Sequence, residues 1–287
     1  MMPMCCGCPR VLAMRLIGLF VAIFLPRLLL ASGAEKLPDV RLISEIRSIA
    51  AGKLFFLGLH FKHPSGAHTY WKHPGVVGLA TTVSWDLPPG FKAGEIQWPA
   101  PQVVKMAGHF AQGYERETLL MIPITPPEKL TDCIVKITAK VSWMCCGETC
   151  HPAVVVPFSI TLPVGNAESE PSTQPLFNQF RPRIPQPPHA WTEISAKRES
   201  GKIILTLVPK LRQRDPFWTE DTPCRFFTLD GQVDTDRKQE TRTSEDGTIV
   251  MTLTSSTTGP EAPSHLPGVV EIPTGKIPRW IEIDQAY

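Results

Sequence analysis

The stretch Ile134-Val135-Lys136-Ile137-Thr138-Ala139-Lys140-Val141-Ser142-Trp143 decides the fold class, because apolar and polar side chains alternate along it. Alternation with a period of two places the apolar side chains on one face, as in a half-buried β-strand. After a break at Met144–Pro152, the segment Ala153–Pro163 is again apolar and β-branched. The sequence therefore predicts a strand, a loop and a second strand here.

Short apolar segments of the same kind recur along the chain, among them Val76–Trp85 and Thr118–Ile124, and proline or glycine punctuates them. Proline accounts for 30 of the 287 residues. So much proline disfavours long helices and suits strands joined by many turns. We therefore predict an all-β chain made of β-sandwiches.

The first 34 residues have the composition of a signal peptide. They contain no Asp, Glu or Lys and carry the apolar run Leu16–Leu25, which is shorter than the about 20 residues of a membrane-spanning helix. Small residues at Ser32 and Ala34 suit a cleavage site, and Met14 is an alternative start of the chain. We predict cleavage near Glu35, a periplasmic location and no transmembrane span in the mature chain.

A proline-rich segment, residues 166–188, divides the remainder and has the composition of a linker. We predict a first β-sandwich over residues 35–165 and a second, smaller β-sandwich over residues 189–287. The formal charge of +2, from 29 basic and 27 acidic residues, argues against a nucleic-acid partner. The sequence shows no hydrolase triad and no phosphate-binding loop.

Three cysteines within six residues mark the candidate chemistry: Cys145, Cys146 and Cys150. An exported chain meets oxidising conditions, and we predict a Cys146–Cys150 or a Cys145–Cys150 disulfide. A structural clip is one interpretation, but so small a ring constrains the unfolded chain little. An accessible small ring suits thiol–disulfide exchange better. Two more cysteines, Cys133 and Cys224, make the mature total odd, so at least one thiol has no partner within the chain.

Copper binding is the alternative interpretation of the same segment. Thiolate, thioether and imidazole are suitable ligands for Cu(I). The candidate copper ligands are Met144, Cys145, Cys146, Cys150 and His151. Four histidines within fourteen residues could add to them, namely His60, His63, His68 and His73. The exchange reaction itself requires no cofactor.

Four motifs occur in a fixed order, and together they resemble the periplasmic N-terminal region of the DsbD reductases, in particular the ScsB-type branch associated with copper tolerance. The motifs are His68–Gly75, Ile96–Pro101, Gly113–Glu115 and Trp143–Pro152. The resemblance spans roughly Leu54–Val164 and continues more faintly into the second predicted domain.

The resemblance implies an immunoglobulin-like sandwich whose cysteine pair passes electrons between a membrane-embedded thiol reductase and thioredoxin-like partners. By motif position, Cys146 and Cys150 take the roles of that pair. The stretch Gly108–Tyr114 lies where the family has a loop that caps the disulfide, which makes Phe110 and Tyr114 the candidate shields. Cys145 is a third thiol beyond the family's usual pair.

The sequence contains neither the membrane module nor the thioredoxin domain of these reductases. The resemblance therefore implies a stand-alone soluble protein that serves as one component of a protein-disulfide reductase.

Overall fold

Antiparallel β-strands make up nearly all of the regular structure in the computed structural model, which describes residues 37–152, 155–188, 191–210, 223–273 and 278–287. The prediction of a signal peptide over residues 1–34 lies outside the described residues. We call residues 37–188 the first module and residues 191–287 the second module. The prediction of an all-β chain is confirmed.

The first module contains fourteen strands, one α-helix and a 3-10 turn at Arg181–Arg183. Its strands are β1 (Asp39–Ser44), β2 (Ile46–Ser48), β3 (Phe55–Lys62), β4 (His68–Tyr70), β5 (Thr82–Asp86), β6 (Lys92–Ala93) and β7 (Gln102–Met106). They continue with β8 (His109–Glu115), β9 (Glu117–Thr125), β10 (Ile134–Ser142), β11 (Met144–Cys146), β12 (Cys150–Pro152), β13 (Val156–Pro163) and β14 (Glu168–Ser169), and the helix is α1 (Gln174–Phe180).

Two sheets of the first module face each other and form the predicted immunoglobulin-like sandwich. One has the strand order β1-β3-β9-β6 and the other β13-β10-β5. Strand β10 alternates as predicted, with Val135, Ile137, Ala139 and Val141 buried. These side chains pack against the buried faces of β3 and β9 in one apolar core.

A third sheet, with the order β12-β11-β4-β8-β7, carries the cysteines. The predicted strand Val76–Trp85 is shorter than expected, since only Thr82–Asp86 is a strand. Gly75 and Gly78 both have φ +100, a conformation that breaks a strand. The residues from Val76 to Leu79 therefore form a loop.

The proline-rich segment 166–188 packs against the first module. Two phenylalanines of α1, Phe177 and Phe180, are fully buried against Leu119 and Met121 of β9. The composition predicted a linker because proline and polar residues dominate the segment. The two phenylalanines nevertheless attach it to the first module by packing on β9. The position of a domain boundary here stays a prediction.

The second module contains β15 (Trp191–Glu199), β16 (Lys202–Pro209), β17 (Arg225–Thr228), β18 (Glu240–Thr243), β19 (Ile249–Thr254), β20 (His265–Ile272) and β21 (Arg279–Ala286). Its two sheets have the orders β15-β16-β19-β18 and β17-β20-β21. Side chains from both sheets form a second apolar core, so the prediction of a smaller second sandwich is confirmed.

The two modules share buried contacts. Phe227 and Val269 of the second module join the core of the first, and the Phe227 ring meets Trp71 edge-on at 6.4 Å between centroids. Lys72 Nζ donates to Glu282 Oε1 at 3.1 Å. The second module therefore lies directly beside strand β4, the strand that pairs with the cysteine hairpin.

Candidate functional site

A short hairpin carries the cysteines. Strands β11 and β12 pair in antiparallel register and place Cys146 directly opposite Cys150, so that only residues 147–149 form the turn. The two cysteines form a disulfide with a Cα–Cα distance of 4.1 Å. Of the two pairings left open by the sequence, the structure has Cys146–Cys150. Cys145 pairs across the hairpin with His151 instead.

The two sulfurs of the bond lie in different environments. Cys146 is 1% exposed, whereas Cys150 belongs to the exposed residues at the end of the turn. Exchange requires an incoming thiolate to reach one sulfur of the disulfide, and access decides which sulfur is attacked. The geometry favours attack on Cys150.

A second turn supports the hairpin from the side. Ala67 donates its backbone N–H to Pro64 O at 3.0 Å, and this closes a turn around Gly66, which has φ +81. A Cβ atom on Gly147 would lie 3.1 Å from Gly66 O, so the two turns are in close contact. They hold the disulfide at a defined place on the sheet edge.

A groove of about 670 Å³ borders this supporting turn. Its lining includes Lys62 and Arg116 but also Glu115 and Glu117. A molecule that approaches the hairpin from this side therefore meets both signs of charge.

An apolar cluster lies behind Cys146. Cys146 packs with Tyr70, Val104 and Ala111, and the partly buried side chains of Val77, Met106 and Met144 pack against this cluster. Tyr70 is 1% exposed, and its ring meets His68 edge-on. These side chains bury Cys146.

The predicted shields Phe110 and Tyr114 do not belong to this cluster, and that prediction is wrong. The register of β4, β7 and β8 puts Ala111 on the same face as Tyr70 and Cys146, so Phe110 and Tyr114 point to the opposite face. Tyr114 is buried in the main core and donates its hydroxyl to Pro99 O at 2.6 Å.

Cys145, the possible third thiol, is buried and forms no disulfide. Burial raises the pKa of its thiol, although the backbone of His68 acts in the opposite direction. Burial, together with the charge of Cys145, raises the pKa of Tyr70 to about 12. Because only a thiolate is nucleophilic, Cys145 is a poor candidate for the attacking group.

The other two cysteines in the described part of the chain lie outside the hairpin. Cys133 is exposed and Cys224 is buried, and neither forms a disulfide. Burial raises the pKa of Cys224 to about 12, with a further contribution from the charge of Glu271.

Three of the four clustered histidines have separate side-chain partners, and the fourth, His73, has a buried Nδ1 without one among the described residues. His60 Nε2 lies 2.8 Å from Glu117 Oε1, and His63 Nε2 lies 2.9 Å from Thr69 Oγ1. His68 Nε2 lies 3.3 Å from the Tyr70 hydroxyl. Burial lowers the pKa of His73, which the charge of Asp230 partly offsets.

Of the candidate copper ligands, Cys146 and Cys150 are joined in the disulfide, and His151 Nε2 lies 2.8 Å from Thr149 Oγ1. Within the described part of the chain, no group of three or more His, Cys, Asp or Glu side chains is arranged to hold a metal ion. Copper binding stays a prediction from the sequence.

Sequence reasoning missed two residues of the site. Tyr70 is part of the motif His68–Gly75, but nothing in the motif says that it packs on a cysteine. Gln112 is 2% exposed, and its side chain connects the two modules. The sequence offered one signal for Gln112, namely that it is a polar residue within the alternating segment His109–Glu115.

Among the described residues, no helix is both long and apolar enough to cross a membrane.

Comparison with known proteins gives a family match for part of the chain and a solved structure with a similar fold. Residues 41–160 match the family model described as thiol:disulfide interchange protein DsbD, N-terminal. A search of curated protein sequences finds no match. The N-terminal periplasmic domain of ScsB from Proteus mirabilis has a similar structure, with a TM-score of 0.59 and 15% identity over 89% of this chain and 95% of that one.

Collagen adhesin from S. aureus also matches, with 8% identity over 88% of this chain and 95% of that one, but its TM-score of 0.15 carries no structural argument.

The family match covers the paired sheets of the sandwich and the cysteine hairpin. Residues 41–160 therefore belong to the family of DsbD N-terminal domains.

Proposed function

We propose that the protein exchanges disulfides with thioredoxin-like partners in the periplasm through Cys146 and Cys150. The family match supports thiol–disulfide exchange as the class of reaction. The observation that carries the assignment of residues is the contrast between an exposed Cys150 and a buried Cys146 within one disulfide. A membrane-embedded thiol reductase is the second kind of partner that such a pair would serve.

In the proposed reaction, a partner thiolate attacks Cys150 Sγ and forms an intermolecular disulfide. The Cys146–Cys150 bond breaks, and Cys146 leaves as a thiolate that takes up a proton. The second thiol of the partner then loses its proton and attacks the sulfur of the partner's first cysteine in the mixed disulfide. This step releases Cys150 as a thiolate. The partner dithiol is oxidised to a disulfide, and this chain is reduced to a dithiol. The reverse sequence oxidises this chain.

The buried position of Cys146 has a consequence for this sequence of steps. In the mixed disulfide, Cys146 stays packed beside Tyr70 and Ala111, where it is within reach of Cys150 and shielded from other thiols. When the Cys146 thiolate attacks Cys150 Sγ, the Cys146–Cys150 disulfide forms again and the partner leaves as a thiolate. No third cysteine is needed for this step. Cys145 has no role in the reaction.

Trapping the mixed disulfide tests the proposal. We expect Cys146→Ser to leave the exposed Cys150 thiol, which attacks an oxidised thioredoxin-like protein and remains covalently attached to it. Of the two hairpin cysteines, Cys150→Ser leaves only the buried Cys146 thiol, and we expect at least about 100-fold less adduct at the hairpin, because access controls the rate of exchange. The adduct is measured by non-reducing electrophoresis and mass spectrometry.

Cys133→Ser is the matched control, since it removes an exposed thiol distant from the hairpin and is expected to leave the wild-type exchange rate unchanged. Equal adduct from Cys146→Ser and Cys150→Ser would contradict the assignment of Cys150. Unchanged exchange by both variants would remove the proposed function altogether.

A further inference from the structure

Residues 73–79 follow strand β4 and cover Cys146. We call them the cover loop. Val77 packs against the apolar cluster that contains Cys146. Gly78 lies so close to Tyr70 that a Cβ atom there would be 2.2 Å from the ring. The cover loop therefore holds Tyr70 in place and closes the cluster from outside.

Gln112 fixes the beginning of the cover loop. Its backbone N–H donates to Pro74 O at 2.7 Å, and its side-chain amide donates to His73 O at 2.5 Å. The same amide nitrogen donates to Thr228 O of the second module at 2.8 Å. One buried side chain thus ties the cover loop to strand β17.

The turn at Thr235 and Asp236 of the second module attaches to the β7–β8 hairpin, the hairpin that carries Gln112. Thr235 Oγ1 donates to Phe110 O at 2.8 Å and is the nearest atom, at 3.3 Å, to the place where a Cβ of Gly75 would lie. Asp236 accepts from the Phe110 N–H at 2.6 Å and from His109 Nδ1 at 2.8 Å. The turn therefore lies beside the cover loop at Gly75 and holds the β7–β8 hairpin, which supports the loop through Gln112.

The contact between the cover loop and the second module is not continuous. A cavity of about 220 Å³ lies between them and is lined by His73, Gly75, Val76, Asp230 and Thr235, among others. Because this space interrupts the packing, the second module restrains the loop mainly through hydrogen bonds, directly to Gln112 and indirectly through the β7–β8 hairpin.

We infer that the second module sets the accessibility of Cys146 by clamping the cover loop, with Thr235 and Asp236 as positioning residues. The inference rests on the proposed function, because it explains how exchange is confined to Cys150. An intact clamp keeps Cys146 closed to external thiols, so that Cys146 reacts only with Cys150. A weakened clamp lets the cover loop open and exposes Cys146 to competing attack.

Alkylation of the reduced protein tests the clamp without any partner. The full chain is reduced with dithiothreitol, freed of reductant and treated with iodoacetamide under native conditions, and the rate at each cysteine is mapped by mass spectrometry. In the wild type, we expect Cys150 to react faster than Cys146. Asp236→Ala removes the hydrogen bonds from the Phe110 N–H and from His109, and it should raise the rate at Cys146 at least about tenfold, while the rate at Cys150 changes little.

Two further variants make the test specific. Thr235→Val keeps the shape of the side chain but removes its hydrogen bond, and we expect a smaller rise at Cys146. Asp236→Asn keeps an oxygen that accepts from Phe110, and it should restore part of the protection. Glu240→Ala, at an exposed position of the same module, is the control and should leave both rates unchanged.

Rates at Cys146 that stay within twofold of the wild type in both Asp236→Ala and Thr235→Val would overturn the inference. The outcome is separable from that of the proposed function. If the clamp variants raise the rate at Cys146 but the wild type exchanges with no dithiol protein, the clamp stands and the proposed function fails. If exchange proceeds and the rates at Cys146 do not respond, the clamp alone fails.

Discussion

Replacing Trp71 with alanine is expected to lower the free energy of unfolding by about 3–5 kcal/mol, the usual loss for a buried large aromatic residue. Trp71 is fully buried and packs in the main core of the first module. Its ring also meets Phe227 of the second module. The cavity would therefore open at the point where the two modules and the strand beside the cysteine hairpin come together.

Urea unfolding followed by circular dichroism measures this effect. Ile134→Ala is the control, because Ile134 is 62% exposed and its truncation should cost less than about 0.5 kcal/mol, as for other surface positions. Trp71→Phe keeps an aromatic ring in the core and should fall between the two. A loss below about 1 kcal/mol for Trp71→Ala would show that the contact between the modules is not part of the folded core.

Acid is expected to destabilise the protein by about 3 kcal/mol between pH 6.5 and pH 4 through His63 alone, since each unit of pKa shift is worth about 1.4 kcal/mol. Burial lowers the pKa of His63 from 6.5 to about 4, although its bond to the Arg116 carbonyl partly opposes the shift. Its two ring nitrogens bond Arg116 O and the Thr69 hydroxyl, which suits the neutral ring.

The sign follows from the proton uptake of the unfolded chain. Above pH 6.5, His63 is neutral in both states and its contribution does not change with pH. Below pH 6.5, the unfolded chain takes up a proton that the folded protein refuses until about pH 4, so stability falls in that window.

Urea unfolding of the wild type and of His63→Gln at pH 7 and pH 4 isolates the contribution. The variant lacks the titrating ring, so its loss of stability between the two pH values should be smaller by about 3 kcal/mol. Equal losses in the wild type and the variant would contradict the assignment to His63. The measurement at pH 7 separately gives the cost of changing the hydrogen bonds to Thr69 and Arg116.

The sequence predicted the sandwich because its key strand is exposed on one face only. Alternation in Ile134–Ser142 shows directly which side chains are buried, and β10 has that pattern. The presence of a disulfide between β10 and β13 followed from the position of the cysteines, but the predicted loop there is a hairpin of β11 and β12. Apolar composition was misleading at Val76–Leu79, where two glycines with positive φ turn an apolar run into a loop.

The details of the site depended on information that one strand does not contain. The alternation of His109–Glu115 shows that Phe110, Gln112 and Tyr114 share a face, but the choice of the face next to Cys146 depends on the register with β4. A shift by one residue exchanges the two faces. The choice between Cys145 and Cys146 had the same origin, since only the register of β11 with β12 decides it.

The disulfide between Cys146 and Cys150 closes a turn of only three residues, so it contributes less to the folding free energy than a long-range bridge would. In the chain-entropy description, a bridge over so few residues is worth about 2 kcal/mol of folding free energy, against about 4.7 for a bridge that closes a 100-residue loop. Gain or loss of the electron pair therefore changes the stability of the scaffold by less than half of what a bridge over a 100-residue loop would change it. Under the proposed function, each change of redox state would therefore disturb the scaffold less than the opening of a long-range bridge would.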